Sequence, residues 1–81
     1  MALASKELLD ILAEKANCIY LSDLLQTEFK RRILFPLHEM EPYDFSLKDW
    51  NDAVKYLVQE DYNFETAEQA REFLINYVGD L

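Results

Sequence analysis

Apolar positions recur at helical spacing in four segments of this chain, and hydroxyl or acidic residues stand where each segment would start. The first runs from Ser5, as N-cap, to Ala16. Its apolar residues Leu8, Leu9, Ile11, Leu12 and Ala16 cover more than half the circumference, which predicts a deeply buried helix. The second segment begins near Ser22 and is expected to stop before Pro36. A proline ring clashes with the preceding turn, and the residue ahead of it avoids the α region. Its stripe is Leu21, Leu25, Phe29 and Ile33, while Leu24 and Phe35 point elsewhere and need separate cover.

The third segment opens at Ser46, with Asp49 placed as in a capping box and Phe45 and Trp50 placed as a hydrophobic staple. Leu47, Trp50, Val54, Leu57 and Val58 form its apolar stripe. The fourth opens at Thr66, where Gln69 completes a capping box, and its stripe is Ala67, Ala70, Phe73, Leu74, Tyr77 and Val78. Gly79 follows the last periodic residue, the place for a left-handed C-terminal cap. The stretch from Pro36 to Pro42 reads as the one substantial linker. The connection between the third and fourth helices is short, which favours an antiparallel pair.

The expected fold class is therefore all-α: a compact four-helix domain with an antiparallel C-terminal helical hairpin. One domain spans residues 1–81, with helices at about 5–16, 22–35, 46–59 and 66–78. Similar aromatic lead-ins, Tyr43-Asp44-Phe45-Ser46 and Tyr62-Asn63-Phe64-Glu65-Thr66, precede the last two helices. They read as two independent solutions to capping rather than a duplicated unit, since two units fall short of a repeat array.

Composition adds a core and an asymmetry. Hydrophobic residues make up 51% of the chain and aromatics 14%, which argues against disorder. The net charge of −8 is uneven. Residues 1–38 carry five basic and five acidic side chains, whereas residues 39–81 carry three basic against eleven acidic and hold the whole net charge. Such a half repels a phosphate backbone, so no direct nucleic-acid binding is expected. No apolar run approaches the roughly 18 residues of a membrane span, and Lys6, Glu7 and Asp10 interrupt any leader-like apolar core. No membrane association is expected, and the expected location is the cytoplasm.

Candidate chemistry is sparse. The single cysteine, Cys18, excludes an internal disulfide and lies in an apolar run, as a small buried hydrophobe does. His38 is the only histidine; the second histidine of a zinc-protease helix is absent, and a solvent-facing linker position is expected. Asp61, Asn63, Glu65 and Glu72 imitate calcium-loop spacing, but Thr66 stands where the turn demands glycine and Glu68 where an apolar residue belongs. Neither metal nor other cofactor is expected. Lys30-Arg31-Arg32 is the only basic run, and its side chains splay around a helix near a carbonyl end that favours positive charge.

The acidic half offers the better site. Asp49, Asp52 and Glu60 fall off the stripe of the third helix, and Glu68 and Glu72 off that of the fourth. Tyr56 lies among the carboxylates as an aromatic anchor, and Ile75 lies at the edge of its stripe. The expected function is a protein-interaction or regulatory module that meets a basic protein surface through Asp49, Asp52, Tyr56, Glu60, Glu68, Glu72 and Ile75. The alternative is a DNA mimic that inhibits a nucleic-acid-binding protein, with carboxylates spaced like phosphates. An enzyme is the least expected class, because histidine, cysteine and glycine-rich loops are so few.

Overall fold

Among the described residues the chain forms five α-helical segments, two of them started by a side-chain cap. The computed structural model describes residues 7–81. α1 spans Leu8–Lys15, with Leu8 and Leu12 fully buried and Leu9 and Ile11 only partly so. The expected N-cap, Ser5, lies outside the described residues. Asn17 ends the helix in the left-handed conformation (φ 63°). Its amide donates to the Glu14 carbonyl at 3.1 Å, and that of Cys18 donates to Ala13 at 2.9 Å. This is a Schellman closure made with asparagine, the non-glycine residue best suited to it.

The expected helix over 22–35 is instead broken into three pieces. A 3-10 turn occupies Leu21–Leu25, α2 spans Thr27–Arg31, and α3 spans Leu34–Glu39. Two local causes account for this. The Asp23 carboxylate accepts from the amides of Ile19 and Tyr20, both at 3.2 Å, and tightens the first turn. Between α2 and α3 the amides of Arg32 and Ile33 bond three residues back, to Phe29 and Lys30. That restart places Pro36 in the first turn of α3, where its missing N–H and fixed φ carry little penalty. Most of the expected 36–42 linker is thus helix.

The break also reassigns faces. Leu24, Ile33 and Leu37 are fully buried, whereas Leu21 and Leu25, expected inside, are exposed, and so is Phe35.

α4 spans Leu47–Val58 and α5 spans Ala67–Gly79. Ser46 Oγ accepts from the Asp49 amide and Thr66 Oγ1 from the Gln69 amide, each at 3.1 Å. Gln69 Oε1 reaches back to the amide of Glu65 rather than that of Thr66. The Phe45 and Trp50 rings meet edge to face at 6.2 Å, and Trp50 Nε1 donates to the Pro42 carbonyl at 2.7 Å. Gly79 is the last residue of α5 and has no positive φ; the second left-handed position is Gln59 (φ 64°), after α4.

The connection from Gln59 to Thr66 doubles back along α4. Asn51, in the first half of α4, accepts from the Phe64 amide at 2.8 Å and donates to the Phe64 carbonyl at 3.3 Å. Tyr62 and Phe64 then stack at 5.8 Å, and both meet the Phe73 ring at a tilt, at 4.7 and 5.2 Å, which ties the connection to the middle of α5.

One core unites these pieces into an all-α, compact four-helix domain whose second helical position is filled by the α2–α3 pair. Leu8, Leu12, Leu24, Ile33, Leu37, Trp50, Val54, Leu57 and Leu74 are its largest buried side chains, and Ala16, Ala53, Ala70 and Val78 fill the gaps between helices. No polar or charged side chain is buried among the described residues.

Arginines tie the helix ends to this frame. Arg32 donates to the Ala16 carbonyl after α1, at 3.2 Å. Arg71 donates to Leu37 and His38 at the end of α3, at 3.1 and 3.2 Å. Arg31 reaches the Leu81 carbonyl beyond α5 at 2.7 Å. Each guanidinium supplies donors and positive charge to a different carbonyl end.

Candidate functional site

α4 carries three of the seven candidate residues, Asp49, Asp52 and Tyr56, and Glu60 follows its end; the way α1 crosses α4 sorts them. Near the start of α1 and the end of α4 a groove of about 530 Å³ is lined by Leu9, Asp52, Tyr56 and Glu60. Lys55, Gln59 and Asp61 complete it. Tyr56 is partly buried and packs against the core, so its ring forms an apolar wall rather than a free surface anchor. Gln59 Nε2 donates to the Tyr56 carbonyl at 2.6 Å, and the left-handed turn at Gln59 carries Glu60 and Asp61 back toward the ring.

Charges around this groove are partly compensated. Lys48 meets Asp52 at 2.8 Å, and that bond and charge raise the lysine above its ordinary range. Lys55 meets Asp61 at 3.1 Å. Both pairs are exposed, so they hold side chains in place more than they stabilise the fold. The Glu60 carboxylate makes no ion pair or hydrogen bond among the described residues.

Asp49 lies apart, in a second groove of about 630 Å³ with Ile11, Lys15, Met40, Asp44, Phe45 and Ser46. Glu68, Glu72 and Ile75 lie on α5 and line neither groove. The Glu68 carboxylate beside Tyr43, through hydrogen bonding and its negative charge, pushes the phenol above its usual value. Glu72 is exposed, and Ile75 is half-buried against the core. The structure therefore brings Asp52, Tyr56 and Glu60 together and leaves the other four candidates elsewhere.

Sequence reasoning missed Leu9, Lys55, Gln59 and Asp61. One signal was available for Leu9. An apolar stripe wider than half a helix has more side chains than one contact face can cover, so an edge residue remains at the surface.

The groups considered for chemistry are placed as follows. His38 sits exposed in the last turn of α3, not in a linker. Cys18 is half-buried; burial, then the charge of Asp23, pushes its thiol up, with Arg32 opposing. No group of three or more His, Cys, Asp or Glu side chains is placed to hold a metal ion among the described residues. Among the described residues, too, no helix is long and apolar enough to cross a membrane. No protein-family model, curated protein or solved structure matches the chain.

Proposed function

We propose that this chain is a small protein-binding module that receives a basic segment of another protein in the groove between α1 and α4. The observation that carries the reading is the convergence of Tyr56 and Leu9 with Asp52, Glu60 and Asp61 around one concavity. An apolar wall gives a lysine or arginine stem something to pack on, while the carboxylates meet its charged head. Glu60, which has no ion pair or hydrogen bond among the described residues, is the group that gains most from an incoming cation. Glu68 and Glu72 on α5, together with the rest of the acidic half, add to the long-range field that draws a basic partner in.

This arrangement favours an ordinary interface over imitation of DNA. Lys48 and Lys55 are paired with Asp52 and Asp61, which interrupts a row of phosphate-like charges with positive ones. A binding role also fits a fold in which the described polar side chains lie at the surface and the one thiol is held toward its neutral form.

The test begins with affinity capture from the native cell, with wild-type and Tyr56→Ala baits side by side. The protein lost from the variant is then made recombinantly. Its association rate with the wild type should fall with added salt, because exposed charges are screened within about 8–10 Å at ordinary ionic strength. Glu60→Lys should slow association, and Tyr56→Ala should speed dissociation. Binding that is indifferent to salt and to both substitutions would refute the groove.

A further inference from the structure

One side chain around the groove between α1 and α4 has the wrong sign for a site that receives a basic segment. Of the residues that line it, Lys55 alone is cationic, against the carboxylates of Asp52, Glu60 and Asp61. Its side chain is 65% exposed, so burial does not hold it there. Asp61 does: the Lys55 ammonium lies 3.1 Å from Asp61 Oδ1. The two come within reach because Gln59 takes the left-handed conformation, its amide donating to the Lys55 carbonyl at 2.9 Å. The pair thus bridges the last turn of α4 to the segment that doubles back from it, and both of its members line the groove with Tyr56.

The three carboxylates are therefore in different states. Asp52 is held by Lys48, which does not itself line the groove. Asp61 is held by a lysine that does. Glu60 has no ion pair or hydrogen bond among the described residues. A cation arriving from another protein meets Glu60 directly but reaches Asp61 only in exchange for Lys55, because two cations at ion-pair distance repel and contend for the same oxygens. An exposed pair of this kind is weak, and its long side chain swings readily into water, so the exchange is an easy one.

We infer that Lys55 is an internal competitor at the groove: in the free protein its ammonium holds the place of a partner's cation beside Asp61, and it leaves when the basic segment enters. The inference rests on the groove reading above and adds the regulation of that site. A segment with one positive charge gains Glu60 alone. One with two suitably spaced charges also displaces Lys55, so the resident lysine weakens the hold on isolated cations and favours a doubly charged segment.

Amide and lysine side-chain NMR titrations with a short peptide of alternating arginine and glycine, capped at both ends, test it at about 0.15 M salt. Wild-type shifts should centre on the groove, and the Lys55 side-chain signals should move toward those of an unpaired lysine as peptide is added. Lys55→Gln should bind the peptide about two- to fivefold more tightly, the range an exposed ion pair allows, with little change in melting temperature. Lys15→Gln removes the same charge from the second groove, at the other end of α1, and should change the affinity by less than about twofold. In an Asp61→Asn background the gain from Lys55→Gln should shrink, since the contested carboxylate is gone, whereas a purely long-range charge effect would leave it undiminished. Groove shifts that weaken with Tyr56→Ala, but with Lys55→Gln no tighter than Lys15→Gln, an undiminished gain in the Asp61→Asn background, or unmoved Lys55 side-chain signals, would overturn this inference and leave the groove reading standing. Absence of shifts from the groove in wild type and Lys55→Gln alike would overturn both.

Discussion

The stretch from Ser46 to Gly79 and the stretch from Asn17 to Met40 hold their helices in different ways. In the first, each helix is started by a hydroxyl within its own sequence, Ser46 or Thr66, and its stripe faces the core except at Leu47, which was expected inside but is exposed in the first turn of α4. In the second, the helical pieces are short, and the end of α3 is finished by a side chain from elsewhere. Arg71 arrives from α5 to close α3, and Lys30 leaves α2 to meet the Tyr77 hydroxyl at 2.8 Å and lie over its ring. α4 and α5 carry their own punctuation, whereas in the middle of the chain α3 borrows its closing donor from α5. The short α2 and α3 are below the length at which isolated helices persist, so packing and remote donors supply what local propensity does not.

The strongest challenge to this contrast is Trp50→Ala. It empties the centre of the shared core and removes a bond to Pro42, and it should cost about 3–5 kcal/mol, a large part of the stability of so small a domain. A melting temperature within a few degrees of the wild type would contradict the central place given to that ring. Next comes Asn51→Ala, which leaves both backbone groups of Phe64 without their partner and should cost about 1–3 kcal/mol in urea unfolding. Because the Phe64 clamp directs the returning connection, amide exchange should rise first between Gln59 and Thr66.

Smaller effects separate borrowed from local caps. Arg71→Ala should cost about 1–2 kcal/mol and raise exchange at the end of α3, on the far side of the sequence from the substitution. Thr66→Ala should cost about 1 kcal/mol and act on α5 itself. If Arg71→Ala frayed only α5, the remote cap would have no energetic content. Gly79→Ala tests sign. The residue is helical, and a methyl group there meets nothing within 4 Å, so alanine should stabilise by about 0.5 kcal/mol, whereas a left-handed glycine cap would make alanine harmful.

The least effect expected is at high pH. The Glu68 carboxylate beside Tyr43 keeps its phenol neutral to higher pH in the folded state than in the unfolded. That contribution is intact below the ordinary phenol range and is lost as pH rises through the folded value. Between about pH 8 and pH 11 the wild type should therefore lose slightly more stability than Tyr43→Phe, as read by thermal melts.

These contrasts also explain what was legible in the sequence. α4 and α5 were readable to within a residue because cap, staple and stripe all lie within a few positions of one another. Pro36 misled because its penalty depends on its place in a helix. Arg32 and Ile33 restart the chain and put that proline in a first turn. Leu24 and Leu25 exchanged faces for the same reason, since a break resets the phase of the stripe. Asn17 and Gln59 took the left-handed positions, and Gly79, the residue best suited to one, was not needed there. At the candidate site, Asp52, Tyr56 and Glu60 were legible as one helical face. Leu9 and Asp61 were not, because they reach the groove only through the crossing of α1 and the turn after α4.

The most direct measurement of the proposed function is an amide NMR titration of the labelled protein with the recombinant partner recovered by capture. Shifts should centre on Leu9, Asp52, Tyr56, Glu60 and Asp61 and shrink as salt is raised. Shifts centred on Lys30 to Arg32, or on Ile19 to Leu25 with the groove silent, would place the partner on the other half of the molecule and contradict the account.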